Sequence, residues 1–250
     1  MQLGLKDKVA LVVGAANEVG GAIARRLAAQ GAKLVLVDGP GDAMSSQAAG
    51  IDGSGGAVLA LSADPTQAQT AQICVEQASR RFGALHILVN ALPGPSGLGL
   101  DALSGESFGA AVSNTLGVQF AFLRAAVPQM RRQGCGRVVN LSSLGYLGLP
   151  GGADIAAAQS GIFGLTRSLA LECAKDQVTV NTVVRGDMAA PGQSEEDVAK
   201  LTAGIPVKRL ATAADIAFAV NFFVSDASKY VTGQTFFVCG GKSAYFSMSV

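Results

Sequence analysis

Apolar residues follow two rhythms along this chain. Val9 to Val13 is a continuous apolar run, the mark of a strand buried on both faces. Further strands are predicted at Lys33 to Asp38, Val58 to Ser62, Ile87 to Asn90, Arg137 to Ser142, Val178 to Val184 and Gln234 to Val238. Between them the apolar period lengthens to that of a helix. Gly20 to Gln30 carries Ile23, Leu27 and Ala28 at helical spacing and is closed by Gly31 as a C-terminal cap. Helices are predicted likewise over Thr66 to Phe82, Glu106 to Gln133 with Pro128 near its end, Ile155 to Lys175 and Ala213 to Ser225. The stretch 185–212 reads as a loop. Strands alternating with helices predict parallel pairing through right-handed crossovers. The fold class is α/β: a single doubly wound parallel sheet with helices on both faces, one domain over 1–250.

Composition narrows the function classes. The chain has 250 residues, 49% hydrophobic and 15% charged, enough for a full core and without a signature of disorder. Its 19 basic and 18 acidic residues leave a net charge of +1 and no basic patch, which argues against nucleic acid and membrane surfaces as partners. Cys74, Cys135, Cys173 and Cys239 lie far apart, with no metal-type spacing, and read as free thiols in a reducing compartment. Met1 to Lys8 has no apolar signal core, and no apolar run approaches the ~20 residues of a membrane span. A cytoplasmic protein is expected.

The first strand-to-helix turn is Gly14-Ala15-Ala16-Asn17-Glu18-Val19-Gly20. Glycines in such a turn let backbone N–H groups meet a pyrophosphate at a helix N-terminus, where a Cβ would obstruct it. Asp38 closes the second strand about 20 residues after the turn, the place of an acid that holds adenosine ribose hydroxyls and rejects a 2′-phosphate. NAD is therefore favoured over NADP. Glu18 works against either: at ~4 Å, like charges repel by roughly 1 to 4 kcal/mol. The competing readings are a plain tight turn and a solvated strand end.

These residues, with Tyr230-Val231-Thr232-Gly233-Gln234 to Gly241 and the segment Gly204 to Ala217, carry a resemblance to the short-chain dehydrogenase/reductase family from about Leu5 to Gly241. The resemblance implies a Rossmann-like fold and a vestigial cofactor site at Gly14, Gly20, Asp38, Asp64 and Asn90, with Glu18 at the family's middle glycine and Val13 at its threonine. It also places Asn114 and Ser143 at two catalytic positions. The family's Tyr-x-x-x-Lys, whose tyrosine moves a proton and whose lysine lowers the tyrosine pKa from its usual ~10, corresponds here to Ile155 and Gln159. The pair that covers the nicotinamide becomes Arg185-Gly186, and the threonine at the carboxamide becomes Ala190. Tyr146 is the nearest other tyrosine, and His86, the only histidine, reads as a surface residue at a strand end.

Lost chemistry beside kept packing implies a non-catalytic subunit. The chain resembles the inactive subunits of heteromeric hydroxyacyl-CoA dehydrogenases, such as that of the benzylsuccinate pathway. The expected partner is an active short-chain dehydrogenase homologue in a hetero-oligomer, a tetramer, with NAD held by the partner and by this chain weakly or not at all. The small residues Ala156, Ala157, Ala158, Ser160, Gly161 and Gly164 suit close helix packing at a subunit contact. The tail Lys242 to Val250, with Tyr245, Phe246 and Met248, is expected at an interface. Two other readings are an NAD-binding redox sensor and an active dehydrogenase whose acid/base has moved to Tyr146.

Overall fold

Alternation inside the strands sets the architecture. In β1 (Val9–Val13), Ala10 and Val12 enter one core while Val9, Leu11 and Val13 enter the other. The computed structural model describes residues 4–53, 55–92, 94, 97–148 and 150–244. Six further strands join β1: β2 (Lys33–Asp38), β3 (Val58–Ser62), β4 (Ile87–Asn90), β5 (Gly136–Ser143), β6 (Val178–Arg185) and β7 (Thr235–Val238). All pair in parallel in the order β3-β2-β1-β4-β5-β6-β7. The predicted doubly wound sheet is what forms.

Eight helices cover it: α1 (Glu18–Ala29), α2 (Asp42–Asp52), α3 (Thr70–Phe82), α4 (Gly105–Val112), α5 (Val118–Gln133), α6 (Ala153–Cys173), α7 (Glu195–Ala203) and α8 (Ala213–Val224), counted among the described residues. On one face Ile23 and Leu27 of α1 meet Ile216, Val220 and Phe223 of α8. On the other, α3, α5 and α6 bring Cys74, Phe122, Leu123 and Cys173. No described helix is long and apolar enough to cross a membrane.

The elements depart from the sequence pattern in three places. Residues 66–69 are not helical, because the Asp64 carboxylate takes hydrogen bonds from Thr66 N (2.9 Å), Thr66 Oγ1 (2.8 Å) and Gln67 Nε2 (3.2 Å). That turn delays α3 to Thr70. The single helix expected over Glu106 to Gln133 contains a π-turn at Ser113–Gly117, so its two halves, α4 and α5, are out of phase by one residue. Helices α2 and α7 were not expected. The first buries only Met44 and Ile51, the second nothing, so neither writes an apolar stripe. The expected interface residues Tyr245, Phe246 and Met248 lie outside the described residues.

Candidate functional site

The strand order reverses between β1 and β4, and in an open parallel sheet the crevice beyond the carboxyl ends at that point is where ligands fit. A cleft of about 410 Å³ opens there. Its walls come from the turn after β1, the segment after β4, the end of β5, Gln159 of α6, and Arg185 with Met188 to Pro191 after β6.

At one end stands the glycine turn. Gly14 has φ +80°, and a Cβ on it would lie 2.6 Å from the carbonyl oxygen of Ala91; a Cβ on Gly20 would lie 2.0 Å from that of Gly14. Both positions therefore require glycine. Asn17 holds the turn together, a role the sequence reading missed. Its Oδ1 accepts from Gly20 N (2.9 Å) as the N-cap of α1, and its Nδ2 donates to Gly14 O and to Ala91 O (2.8 Å). The signal was present: asparagine just ahead of a helix, with a donor three residues on. Glu18 is exposed in the first turn of α1 and lines the cleft. There it complements the helix dipole and opposes any phosphate brought to the same N–H groups.

Asp38 has an internal task. Oδ2 accepts from Ala16 N and Oδ1 from Gly39 N, both at 2.9 Å, so the carboxylate ties β2 to the glycine turn. Asp64 is exposed and engaged in the turn described above, whose backbone and side-chain donors hold its carboxyl below the usual range. Asn90 is fully buried and donates to Asn140 Oδ1 (2.9 Å), which continues through Asn140 Nδ2 to Thr166 Oγ1 (3.0 Å) and Thr182 (2.8 Å). This polar chain ties β4, β5, α6 and β6 together beneath the cleft. A dinucleotide fits this end poorly: its pyrophosphate would face Glu18, and its ribose would share a carboxylate already bridging two amides.

At the other end, Ile155 and Gln159 lie one turn apart on α6. Gln159 is 3% exposed; its Oε1 accepts from Ser143 N (3.1 Å), and its backbone carbonyl lies 3.4 Å from Ser142 Oγ. Ser143 Oγ accepts from Gly145 N (3.3 Å) and caps the short helical turn Leu144–Leu147. Ile155 lines a neighbouring cavity of about 260 Å³, whose wall also includes Ser143, Arg185, Asp187 and Lys242. Arg185 lines both spaces, and Lys242 forms an ion pair with Asp187.

Three other candidates fall outside this arrangement. Asn114 lies in the π-turn with its side chain exposed, and the buried residue beside it is Thr115. The one-residue phase shift turns Asn114 outward, away from the position the family pattern implies. Tyr146 packs its ring on Phe163 (4.9 Å) and Phe237 (5.8 Å), and burial pushes its phenol pKa up, away from acid/base use near neutrality. His86 is half-buried rather than a surface residue: Nδ1 accepts from Val9 N (3.0 Å), and its backbone N–H donates to Val9 O (2.9 Å). It joins β1 to β4 at the sheet's opposite end from the cleft.

Residues 14–243 match the family model described as Enoyl-(Acyl carrier protein) reductase. The chain is 48% identical to the (2S)-[(R)-hydroxy(phenyl)methyl]succinyl-CoA dehydrogenase subunit BbsC of Thauera aromatica, with all of both chains covered. It is 31% identical to subunit BbsD of the same organism, covering 97% of this chain and 99% of that one. Among solved structures, a short-chain dehydrogenase/reductase from Burkholderia xenovorans superposes with a TM-score of 0.90 at 32% identity, covering 96% of this chain and 98% of that one. Fold, family model and full-length relatives agree: the chain belongs to the short-chain dehydrogenase/reductase family.

Proposed function

We infer that this chain is a non-catalytic, structural or regulatory subunit of a heteromeric NAD-dependent hydroxyacyl-CoA dehydrogenase. It supports a homologous active subunit that holds the NAD. The observation that carries this reading is the uncharged carboxamide of Gln159, locked onto Ser143 N at 3.1 Å, with the aliphatic Ile155 one turn before it. No group there can give a proton to a carbonyl oxygen or steady an alkoxide. Tyr146, held by its ring contacts and with a raised pKa, does not replace it.

Two exposed apolar faces support the role of partner. Phe120 on α5 and Leu171 on α6, 83% exposed, border one groove, and Phe218, Phe222, Phe236 and Phe237 emerge on α8 and the edge strand β7. Apolar patches of this kind mark association surfaces. The similarity to BbsC and BbsD, named as subunits of one dehydrogenase, suggests that the partner is a homologue with an intact Tyr-x-x-x-Lys.

The test is co-expression with such a homologue. The two should co-purify, and hydride transfer to NAD from a hydroxyacyl-CoA should fall by about 10²- to 10⁴-fold when the partner's tyrosine becomes phenylalanine. Turnover by this chain purified alone would overturn the reading.

A further inference from the structure

We propose that the joined cavities of this chain bind a small organic carboxylate, gripped by the Arg185 guanidinium and the Nε2 amide of Gln159. The proposal rests on the reading that no dinucleotide fills the cleft.

Donors converge here without acceptors. Arg185, at the end of β6, lines both cavities, and among the described residues its guanidinium makes no hydrogen bond or ion pair. Burial lowers its pKa, the sign of a charge short of solvation. The nearby Asp187 is already matched to Lys242. Gln159 is 97% out of solvent, and Ser143 N fixes which way its amide points. That leaves Nε2 beside Gly94, where an added Cβ would stand 3.2 Å from it, with no acceptor among the described residues. Ser143, between the two cavities, accepts at Oγ from Gly145 N, so its own hydroxyl proton is available as a third donor.

Charge and shape narrow the class. Buried N–H donors without acceptors cost stability until an anion meets them. A planar guanidinium beside a flat amide matches a planar carboxylate better than a tetrahedral phosphate. Glu18, on the first cavity, further disfavours a dianion. The rest of the lining, including Leu141, Met188, Leu144 and Ile155, is apolar and suits a hydrocarbon body. The cavity volumes, about 410 and 260 Å³, hold a ligand the size of an aromatic acid.

Calorimetry on the full chain tests this with benzoate, its neutral isostere benzamide, inorganic phosphate and NAD, each titrated separately. Benzoate should bind with a dissociation constant of about 1 mM or tighter, and benzamide at least about tenfold more weakly. Arg185→Met, which keeps the side-chain stem, should weaken benzoate about tenfold or more with the melting temperature unchanged. The wild-type contrast of benzoate with benzamide decides the matter if that variant folds poorly. No benzoate binding, equal binding of benzamide, tighter binding of phosphate, or benzoate binding that survives Arg185→Met would overturn the proposal. Micromolar binding of NAD would instead overturn the reading of the cleft on which it rests.

Discussion

The two ends of the cleft have diverged from the family pattern in opposite ways. At the glycine turn the family's residues are largely in place, yet they serve the fold. Asp38 bridges Ala16 N and Gly39 N, and Asn90 anchors a buried polar chain that reaches Thr182. At the start of α6 the residues have changed, and the replacements close the gap they leave: the Gln159 carboxamide takes the amide of Ser143. One end thus retains side chains without retaining a clear site, and the other loses ionisable groups while keeping a shaped, donor-lined space. Residue identity alone therefore does not measure surviving function; what each polar atom is already bonded to does.

The largest expected effect tests that equivalence directly. Asp38→Asn turns one acceptor into a donor facing a backbone N–H, and Gln159→Leu leaves Ser143 N without its side-chain acceptor. Each should cost about 1 to 3 kcal/mol of stability, read from urea unfolding midpoints. A cost at Gln159 with none at Asp38 would break the comparison and return Asp38 to ligand binding. Next comes Glu18→Gly. It should raise affinity for NAD about fivefold by removing a like charge, while a loss of a few tenths of a kcal/mol at the α1 N-terminus lowers the melting point slightly. If affinity does not rise, the poor fit of a dinucleotide lies in the committed turn rather than in Glu18.

The smallest effect belongs to His86, remote from both ends. Burial, with repulsion from Lys8, holds its imidazole below the usual value. The unfolded chain therefore takes up a proton first. The contribution of neutral His86 is complete above about pH 6.5 and is lost as pH falls through that value toward the folded pKa. Stability measured from pH 7 to pH 5 should decline, and His86→Gln, which cannot charge, should flatten part of that decline. Benzoate affinity, set at the far end of the sheet, should be indifferent to His86→Gln.

How much was legible follows from the range of the forces involved. The β-strand runs, the glycine turn and the Ile155/Gln159 pair stand in the linear order, because burial on both faces demands unbroken apolar strands and a tight turn demands glycine. Helices α2 and α7 left little trace, since an element that buries two side chains or none needs no apolar stripe. The delayed start of α3 was hidden in a carboxylate's choice of three local donors at Asp64. The inward expectation for Asn114 failed because one extra residue in the helix, a π-turn, rotates everything beyond it, and spacing in sequence does not reveal where such a turn will form.

By itself the sequence determined the α/β order, the doubly wound sheet and the absence of a tyrosine–lysine pair on α6, because these depend on side-chain type and local period. Tertiary structure alone decided that Asp38 and Asn90 spend their hydrogen bonds inside the protein while Arg185 and Gln159 Nε2 have none among the described residues. Those partners lie tens of residues apart along the chain, and only packing of the strand ends determines which polar atoms meet and which are left facing the cleft.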